Sequence, residues 1–182
     1  KLIDLLKILE EKETDYDKLI AKLKAQKAQI KSLTGIRIKV IAELKSALGK
    51  KVKIDPSSGS LQLDSSILFA KNEVILQESS KVALKKLYIE YMTALMSNRN
   101  IKDQIDRVVI EGHTDSDGGY LLNLNISQQR AYAVMSYLAS LDYTSQNNLK
   151  PLLEASGRSY TDRIMVNGRE DKDASRRIAI KF

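Results

Sequence analysis

The sequence predicts an α/β domain, an α+β sandwich in which a mixed sheet packs against helices, preceded by a long N-terminal helix or coiled coil. Three observations support this fold class. From about residue 51 onward, short strand-like segments alternate with segments of helical periodicity. The first 33 residues instead repeat apolar residues every seven positions. Hydrophobic residues make up 43% and charged residues 29% of the 182-residue chain, which is typical of a globular protein.

The N-terminal segment has the seven-residue repeat of a left-handed coiled coil. Its seam consists of Leu2, Leu5, Leu9, Lys12, Tyr16, Leu19, Leu23, Gln26, Ile30 and Leu33. A lone amphipathic helix is the alternative, but the stripe is narrow and the other faces are charged, which favours a coiled coil. A further helical stripe runs to Leu48, and Gly49 is suited to end it. We therefore predict a helical spacer over residues 1–48, about 70 Å long at 1.5 Å per residue, and a second domain over residues 49–182.

Strands and helices alternate in the predicted second domain. Val52–Ile54 and Leu61–Leu63 flank a turn that contains Pro and Gly, a pattern that predicts a β-hairpin. The other predicted strands are Ile67–Phe69, Arg107–Gly112, Leu152–Ala155 and Ile178–Ile180; the predicted helices are Glu78–Met96 and Asn125–Leu141, the latter capped by Asn125 or Ser127. The polar segment from Tyr160 to Ala174 is predicted to be a loop.

Charge and composition exclude several classes of function. The net charge is +7, but acidic residues separate the lysines, so most of the charge is expected on solvated helix faces. A nucleic-acid partner is not expected, because clustered Lys and Arg with exposed aromatic residues are absent. The chain has no Cys, which excludes disulfides, thiolate metal sites and a Cys nucleophile. It also lacks a nucleophile elbow, a phosphate loop and a dinucleotide fingerprint, so we expect neither an enzyme nor a cofactor.

The candidate binding site lies between Glu111 and the helix that follows it. Asp115 comes directly after a buried strand and Arg130 lies within the next helix, so the loop between them can bring both side chains to one mouth of the fold. A carboxylate can hold an ammonium group, and a guanidinium can hold a carboxylate through two parallel hydrogen bonds. The pair therefore suits a zwitterion, such as the amino-acid centre at the end of a diaminopimelate side chain. From the residues alone, a purely structural Asp–Arg salt bridge remains an open alternative.

Two other interpretations of this stretch are less favoured. His113 is the single histidine of the chain, and a catalytic zinc site needs three suitable ligands. Asp115 and Asp117 lack the remaining ligand spacing of a calcium loop, so no metal is predicted. Glu111 and Asp115 could be a glycosidase pair, but Glu111 is predicted to lie within a strand.

Several ordered motifs resemble the OmpA-like peptidoglycan-binding family over about residues 51–182. The stretch from Val109 to Asp115 resembles the family's strand and its H/Y-T-D motif, and Ile126–Ala131 resembles its L-S-x-x-R-A helix motif. The spacings agree, with eight positions from Asp115 to Asn123 (123 − 115) and fifteen from Asp115 to Arg130 (130 − 115). Further matches are Leu68-Phe69 to the first strand, Ala155–Ser159 to a turn and Ser175–Ile180 to the last strand.

The resemblance implies non-covalent binding of peptidoglycan. In the family, the residues that match Asp115 and Arg130 bind diaminopimelate of the stem peptide, and the residue that matches Asn123 assists. The resemblance implies that Thr114, Ile126, Phe69 and Ala70 line the same site. Departures from the family pattern are Ala70 in place of Asp, which is expected to weaken binding, Gln129 in place of the first Arg of an R-R pair, and Ser175 in place of Asn.

Upstream segments resemble MotB-like subunits of ion-driven membrane motors, including those of Zorya anti-phage defence systems. The segments are Thr34–Ile41, Ile54–Pro56 and Ser65–Phe69. This resemblance implies a periplasmic domain of an inner-membrane-anchored bacterial protein, a homodimer, and a MotA-type partner reached through a transmembrane segment. Because the chain begins at Lys1, we expect that segment to precede it. The alternative function is a structural envelope anchor of the OmpA or Pal type that belongs to no motor.

Overall fold

The structure is a computed structural model, which describes residues 12–27, 53–55, 58–97, 102 and 105–182. The chain divides into two units, residues 1–38 and 39–182. In the first unit, residues 12–27 form a helix, α1, as the heptad pattern predicts. The rest of the heptad seam and the predicted boundary between residues 48 and 49 lie outside the described residues, so the extent of the spacer and the coiled coil both stay predictions.

A five-stranded sheet forms the centre of the second unit, with the strand order β1-β2-β7-β3-β4. Its strands are β1 (Lys53–Ile54), β2 (Leu61–Asp64), β3 (Val108–Gly112), β4 (Leu153–Gly157) and β7 (Arg177–Lys181). β3 and β4 are parallel, whereas the other neighbours are antiparallel, so the sheet is mixed as predicted. The predicted hairpin is present, with Ile54 opposite Leu61. Apolar residues continue across the sheet, because Ile180 lies between Leu61 and Ile110.

Two long helices supply the rest of the core: α3 (Glu78–Ser97) and α4 (Tyr120–Ser140). The buried side chains of α3 are Leu84, Tyr88, Tyr91, Met92 and Leu95, and those of α4 include Ala131, Val134 and Leu138. The hydroxyl of Tyr91 donates to the carbonyl of Ile180 at 3.4 Å. The hydroxyl of Tyr137 donates to the backbone carbonyl of Lys81 at 3.0 Å. These bonds connect α3 to the sheet and to α4. Two short elements, α5 (Asp142–Gln146) and a 3₁₀ helix (Lys150–Leu152), lead from α4 to β4.

The predicted strand Ile67–Phe69 is wrong, because Ser65–Leu68 form a short helix, α2. Asp64 caps this helix through a hydrogen bond from the Ser66 amide to its carboxylate (2.8 Å). An Asp side chain in this position satisfies an amide that a helix start leaves without a partner. Leu68 and Phe69 are buried while Ile67 is 63% exposed, so the apolar run reflects one turn of helix and not an alternating strand.

The other two differences concern boundaries around the site. α4 begins at Tyr120 with Gly119 as its N-cap, so the caps predicted at Asn125 and Ser127 are wrong and both residues lie inside the helix. The predicted loop between Tyr160 and Ala174 contains a small hairpin, β5 (Met165–Val166) and β6 (Arg169–Glu170), and a short helix, α6 (Lys172–Ser175), follows. Asn167 and Gly168 form the turn between β5 and β6, with φ of 51° and 76°. Positive φ at both residues is the backbone conformation that an Asn-Gly hairpin turn favours.

Across the described part of the chain, no helix combines the length and apolarity needed to cross a membrane.

Candidate functional site

Close contact between α4 and the sheet positions the candidate site. Gly112 ends β3, and a Cβ at this position would lie 2.1 Å from the backbone oxygen of Ser127 on α4. Gly157 ends β4 in the same way, since a Cβ there would lie 2.7 Å from the amide nitrogen of Gln128. The Ser127 hydroxyl also accepts a hydrogen bond from the Ser159 amide (3.0 Å). The residues of α4 on either side of Ser127 are therefore held beside the loop that follows β3.

All of the sequence-predicted site residues line one cleft, of about 850 Å³. They are Phe69, Ala70, Thr114, Asp115, Asn123, Ile126 and Arg130. The loop after β3 supplies Thr114 and Asp115, and α4 supplies Asn123, Ile126 and Arg130. Lys71, Asp117, Leu122 and Arg176 also line the cleft, although the sequence analysis did not include them in the site.

Asp115 presents a carboxylate that is almost fully buried, with 7% of the residue exposed. Its Oδ1 accepts a hydrogen bond from the Asp117 amide (3.0 Å), and its Oδ2 forms an ion pair with Arg176. The direct Asp115–Arg130 salt bridge that the residues alone left open is therefore not formed.

Arg130 is 8% exposed and has different partners. Its Nε donates to the carbonyl of Glu73 (2.9 Å), and its Nη1 donates to the hydroxyl of Ser65 (3.1 Å). The guanidinium carbon lies 5.2 Å from the centre of the Phe69 ring, within cation–π range. Burial lowers the pKa of Arg130, and the like charge of Arg176 lowers it further. Arginine nevertheless stays charged in proteins, and Nη2 forms no hydrogen bond with any other described residue.

Thr114 and Asn123 add polar groups to the cleft. The Thr114 side-chain oxygen is buried without a hydrogen-bond partner among the described residues, whereas its amide donates to the carbonyl of Ser159 (2.9 Å). The Asn123 side-chain amide donates to the carbonyl of Asp117 (2.7 Å), so Asn123 supports the loop that carries Asp115. Ile126 is half-buried and Ala70 is exposed at the rim.

Of the charged cleft residues that were not predicted from the sequence, Arg176 is the one whose side chain pairs with Asp115. One of its terminal nitrogens pairs with Asp115 and the other with Asp173. The hydrogen bond to Asp115 raises the pKa of Arg176. Arg176 is the first Arg of the Arg-Arg pair in the last-strand motif, so the sequence marks it as part of a family motif. Nothing in that motif indicates that its side chain reaches the cleft.

His113 does not line the cleft and instead belongs to a second charged cluster. Ligand atoms of Glu111, His113 and Asp162 lie within 4.8 Å of one another. Lys181 pairs with Glu111, and the charge of Arg177 opposes protonation of His113. Burial lowers the pKa of His113, more than Glu111 at 3.3 Å raises it. Burial also opposes ionisation of Glu111, but His113 and Lys181 outweigh it and lower the pKa of Glu111 to about 2. Lys181 pairs with Glu111 and Arg158 pairs with Asp162 (3.3 Å), so cations already balance both carboxylates and the cluster gives no reason to assign a metal.

The mixed sheet and the two long helices define an α/β domain that carries a charged cleft. The OmpA family model matches residues 68–178, more than half of the chain, and the chain belongs to the OmpA family. This confirms the family predicted from the motifs, and the observed architecture confirms the predicted fold class.

The chain is similar to Zorya proteins, to a cell wall anchor and to a MotB-like protein. The Zorya protein ZorB of Escherichia coli O139:H28 (strain E24377A / ETEC) is 29% identical over 143 residues, which cover 74% of this chain and 56% of ZorB. The chain spans about half the length of the curated relatives it matches. The cell wall anchor of the T6SS from Pseudomonas aeruginosa has a TM-score of 0.52 at 20% identity and covers 78% of this chain and 92% of its own. A MotB-like protein from Desulfovibrio vulgaris has a TM-score of 0.53 at 18% identity, and the match covers 82% of this chain and 90% of that protein's chain. At these identities the two structures support the fold alone.

Proposed function

We propose that the cleft binds the free zwitterionic end of diaminopimelate in a peptidoglycan stem peptide. The observation that carries this proposal is that Asp115 and Arg130, both more than nine-tenths buried, line one cleft without pairing with each other. Asp115 would take the ligand ammonium, and Nη2 of Arg130 would take the carboxylate. Thr114 lines the same cleft and its hydroxyl has no partner among the described residues, so it would be a further donor. Asn123 supports this arrangement through the Asp115 loop, while Ile126, Phe69 and Ala70 form the walls.

The domain would act as a clamp and not as an enzyme. Both carboxylates of the cleft, Asp115 and Asp117, are paired with cations, Arg176 and Lys172 respectively. His113, the single histidine of the chain, does not line the cleft, so no imidazole is placed there to act as a general base.

For the whole protein we infer a periplasmic anchor that holds an inner-membrane complex to the cell wall. The similarity to ZorB favours a MotB-like stator subunit of an ion-driven motor, with anti-phage defence as its setting. Such a subunit would be a homodimer with a MotA-type partner, and residues 1–48 would be the spacer between membrane and wall. A structural envelope anchor outside any motor is the second candidate, favoured by the match to the OmpA family as such.

Binding to purified sacculi and to a diaminopimelate-containing muropeptide tests the cleft. Asp115→Asn keeps the side-chain size and removes the negative charge, whereas Arg130→Lys keeps the positive charge and removes the forked donor set. Each is expected to weaken binding about tenfold or more, because hydrogen bonds to charged groups contribute about 1.5–3 kcal/mol and about 1.4 kcal/mol corresponds to tenfold. The matched controls are Glu154→Gln and Arg107→Lys, which alter an exposed pair of the same charges (2.8 Å) elsewhere in the domain.

The assay conditions separate specific from general attraction. The net charge of +7 attracts the chain to anionic wall polymers, and salt of about 0.5 M or more suppresses that attraction by shortening the Debye length. Under these conditions a stem peptide with Lys in place of diaminopimelate should compete poorly, since it lacks the distal carboxylate. Wild-type binding that Asp115→Asn and Arg130→Lys leave unchanged would show that the ligand lies elsewhere.

A further inference from the structure

Three consecutive residues of the loop after β3 are each bound by the segment of residues 169–176. Asp115 pairs with Arg176, Ser116 bonds to Glu170, and Asp117 pairs with Lys172 (2.6 Å). This segment consists of β6 and α6 together with Asp171 and Arg176, and lies more than 50 positions further along the chain. It therefore belongs to the structural surroundings of the cleft.

Of these three contacts, the one with Glu170 acts on the backbone of the loop. Its Oε1 accepts a hydrogen bond from the Ser116 amide (3.1 Å), and its Oε2 accepts one from the Ser116 hydroxyl. Lys172 and Asp117, in contrast, meet through side chains that are 48% and 67% exposed, and such surface pairs contribute little. Ser116 lies between Asp115 and Asp117, whose amide donates to Asp115 Oδ1 (3.0 Å). Glu170 therefore fixes the turn that orients the Asp115 carboxylate.

The support for Glu170 is itself well fixed. The Asp171 amide donates to the carbonyl of Ile164 (2.9 Å), and the Ile164 amide donates to the hydroxyl of Ser175 (2.9 Å). The Asp171 side chain caps α6 by accepting from the Ala174 amide (3.0 Å). These hydrogen bonds lie within residues 164–175 and do not involve the loop after β3. They therefore fix the position of the Glu170 carboxylate independently of that loop.

We infer that Glu170 is a positioning residue for ligand binding, which holds the Asp115 loop in its binding geometry through Ser116. This inference rests on the proposed function of the cleft. If the loop adopts the binding geometry for only a fraction of the time, the apparent affinity equals the intrinsic affinity multiplied by that fraction. Glu170 would therefore act by preorganising the loop and not by contacting the ligand.

The test compares Glu170→Ala, Glu170→Gln and Glu154→Ala in the full chain, with a diaminopimelate-containing muropeptide as the ligand. Glu170→Ala removes both acceptors and is expected to weaken binding about tenfold, as when the competent fraction falls to about a tenth. Glu170→Gln keeps an oxygen for the Ser116 amide and is expected to restore binding to within about threefold of wild type, because the amide hydrogen bond survives. Glu154→Ala removes a carboxylate of an exposed pair away from the cleft and should bind like wild type.

Hydrogen exchange of the Ser116 amide gives an independent readout of positioning. It should accelerate in Glu170→Ala and return toward the wild-type rate in Glu170→Gln, while the thermal unfolding midpoint stays close to that of Glu154→Ala. If wild type binds, Asp115→Asn does not, and Glu170→Ala binds as tightly as wild type, the inference about Glu170 is wrong and the proposed function stands. If wild type itself fails to bind the muropeptide, the proposed function is overturned and the inference with it.

Discussion

Asp115 and Arg130 show how two buried charges can be kept available for a ligand. Burying a charge costs several kcal/mol unless the group is paired or hydrogen-bonded. Each residue avoids that cost with its own partners: Asp115 with Arg176 and the Asp117 amide, and Arg130 with Glu73, Ser65 and the Phe69 ring. Since neither neutralises the other, the cleft contains both a negative and a positive group, as the proposed zwitterionic ligand requires.

The lowered pKa values of Glu111 and His113 predict that the domain loses stability in two stages as the pH falls. The pKa of buried His113 is lowered from 6.5, so below that pH the unfolded chain binds a proton that the folded chain does not, and stability falls as pH falls. The pKa of Glu111 is lowered from 4.5 to about 2, chiefly by His113 and Lys181 acting against burial, so its contribution is present above 4.5 and is lost on acidification towards 2. A shift of this size corresponds to a few kcal/mol, at about 1.4 kcal/mol per pKa unit.

Thermal unfolding followed by circular dichroism between pH 8 and 3 measures this profile. His113→Gln should flatten the profile just below pH 6.5, and Glu111→Gln should flatten it below about 4.5, both relative to wild type. Glu154→Gln serves as the control, because Glu154 belongs to an exposed pair. Identical slopes in all four proteins would contradict the assignment of acid sensitivity to this cluster.

At the level of elements, the packing of α4 on β3 makes Gly112 sensitive to any side chain. A Cβ there would lie 2.1 Å from the Ser127 carbonyl oxygen, so the helix must move away from the strand. Gly112→Ala is expected to lower the free energy of unfolding by about 1–3 kcal/mol or more, as overpacking does. Gly119→Ala is the control, because a Cβ at Gly119 meets nothing within 4 Å and its φ is −78°. Replacing glycine with alanine at this N-cap should cost at most about 1 kcal/mol.

Urea unfolding of the two glycine variants measures the difference directly. Because the same movement of α4 displaces Arg130 from Asp115, Gly112→Ala should also weaken muropeptide binding, whereas Gly119→Ala should do so much less. Equal stability of Gly112→Ala and wild type would show that α4 does not lie against β3 as closely as described.

Elements with strong periodicity were predictable from the sequence, and elements set by local hydrogen bonds were not. The helix from Glu78 and the strands around Ile110 and Ile178 follow from apolar patterns that tertiary packing reinforces. The strand prediction for Ile67–Phe69 is wrong because the Asp64 cap, and not the apolar run, determines the local structure. The Asn167-Gly168 turn could have been recognised as a hairpin signal, but its strands are too short and exposed to show a pattern.

The same distinction applies to the site. Asp115 and Arg130 could be placed at one mouth of the fold from the loop and the helix that carry them, whereas Thr114 and Asn123 were predicted from the resemblance to the OmpA-like family; all four line the cleft. The contacts of Arg176 with Asp115 and of Glu170 with Ser116 join residues 61 and 54 positions apart. Such pairs depend on the order of strands in the sheet, which no local pattern specifies.

At the level of the whole molecule, the exposed seam of α1 predicts self-association. Tyr16, Leu19 and Leu23 follow one another at heptad spacing and are 64%, 53% and 52% exposed in the single chain. Pairing with a second copy would bury these side chains at about 25 cal/mol per Å² of apolar surface. A parallel homodimer is the expected form, since the proposed anchor function requires both N-termini at the membrane and both clefts available to the wall.

Sedimentation analysis at high micromolar concentration tests this dimer with two matched double variants. Leu19→Asp with Leu23→Asp places charges on the seam, where an apolar side chain is required at each position, and should yield monomers. Ala21→Asp with Ala25→Asp introduces the same new residues, with the same change of net charge, at exposed positions away from the seam and should leave the dimer in place, because outward-facing heptad positions tolerate charge. A coiled-coil dimer should also lose helicity by circular dichroism only in the seam variant, since a helix of this length is marginal in water without a partner. A wild-type chain that remains monomeric at this concentration would count against the coiled coil and leave α1 as a lone amphipathic helix.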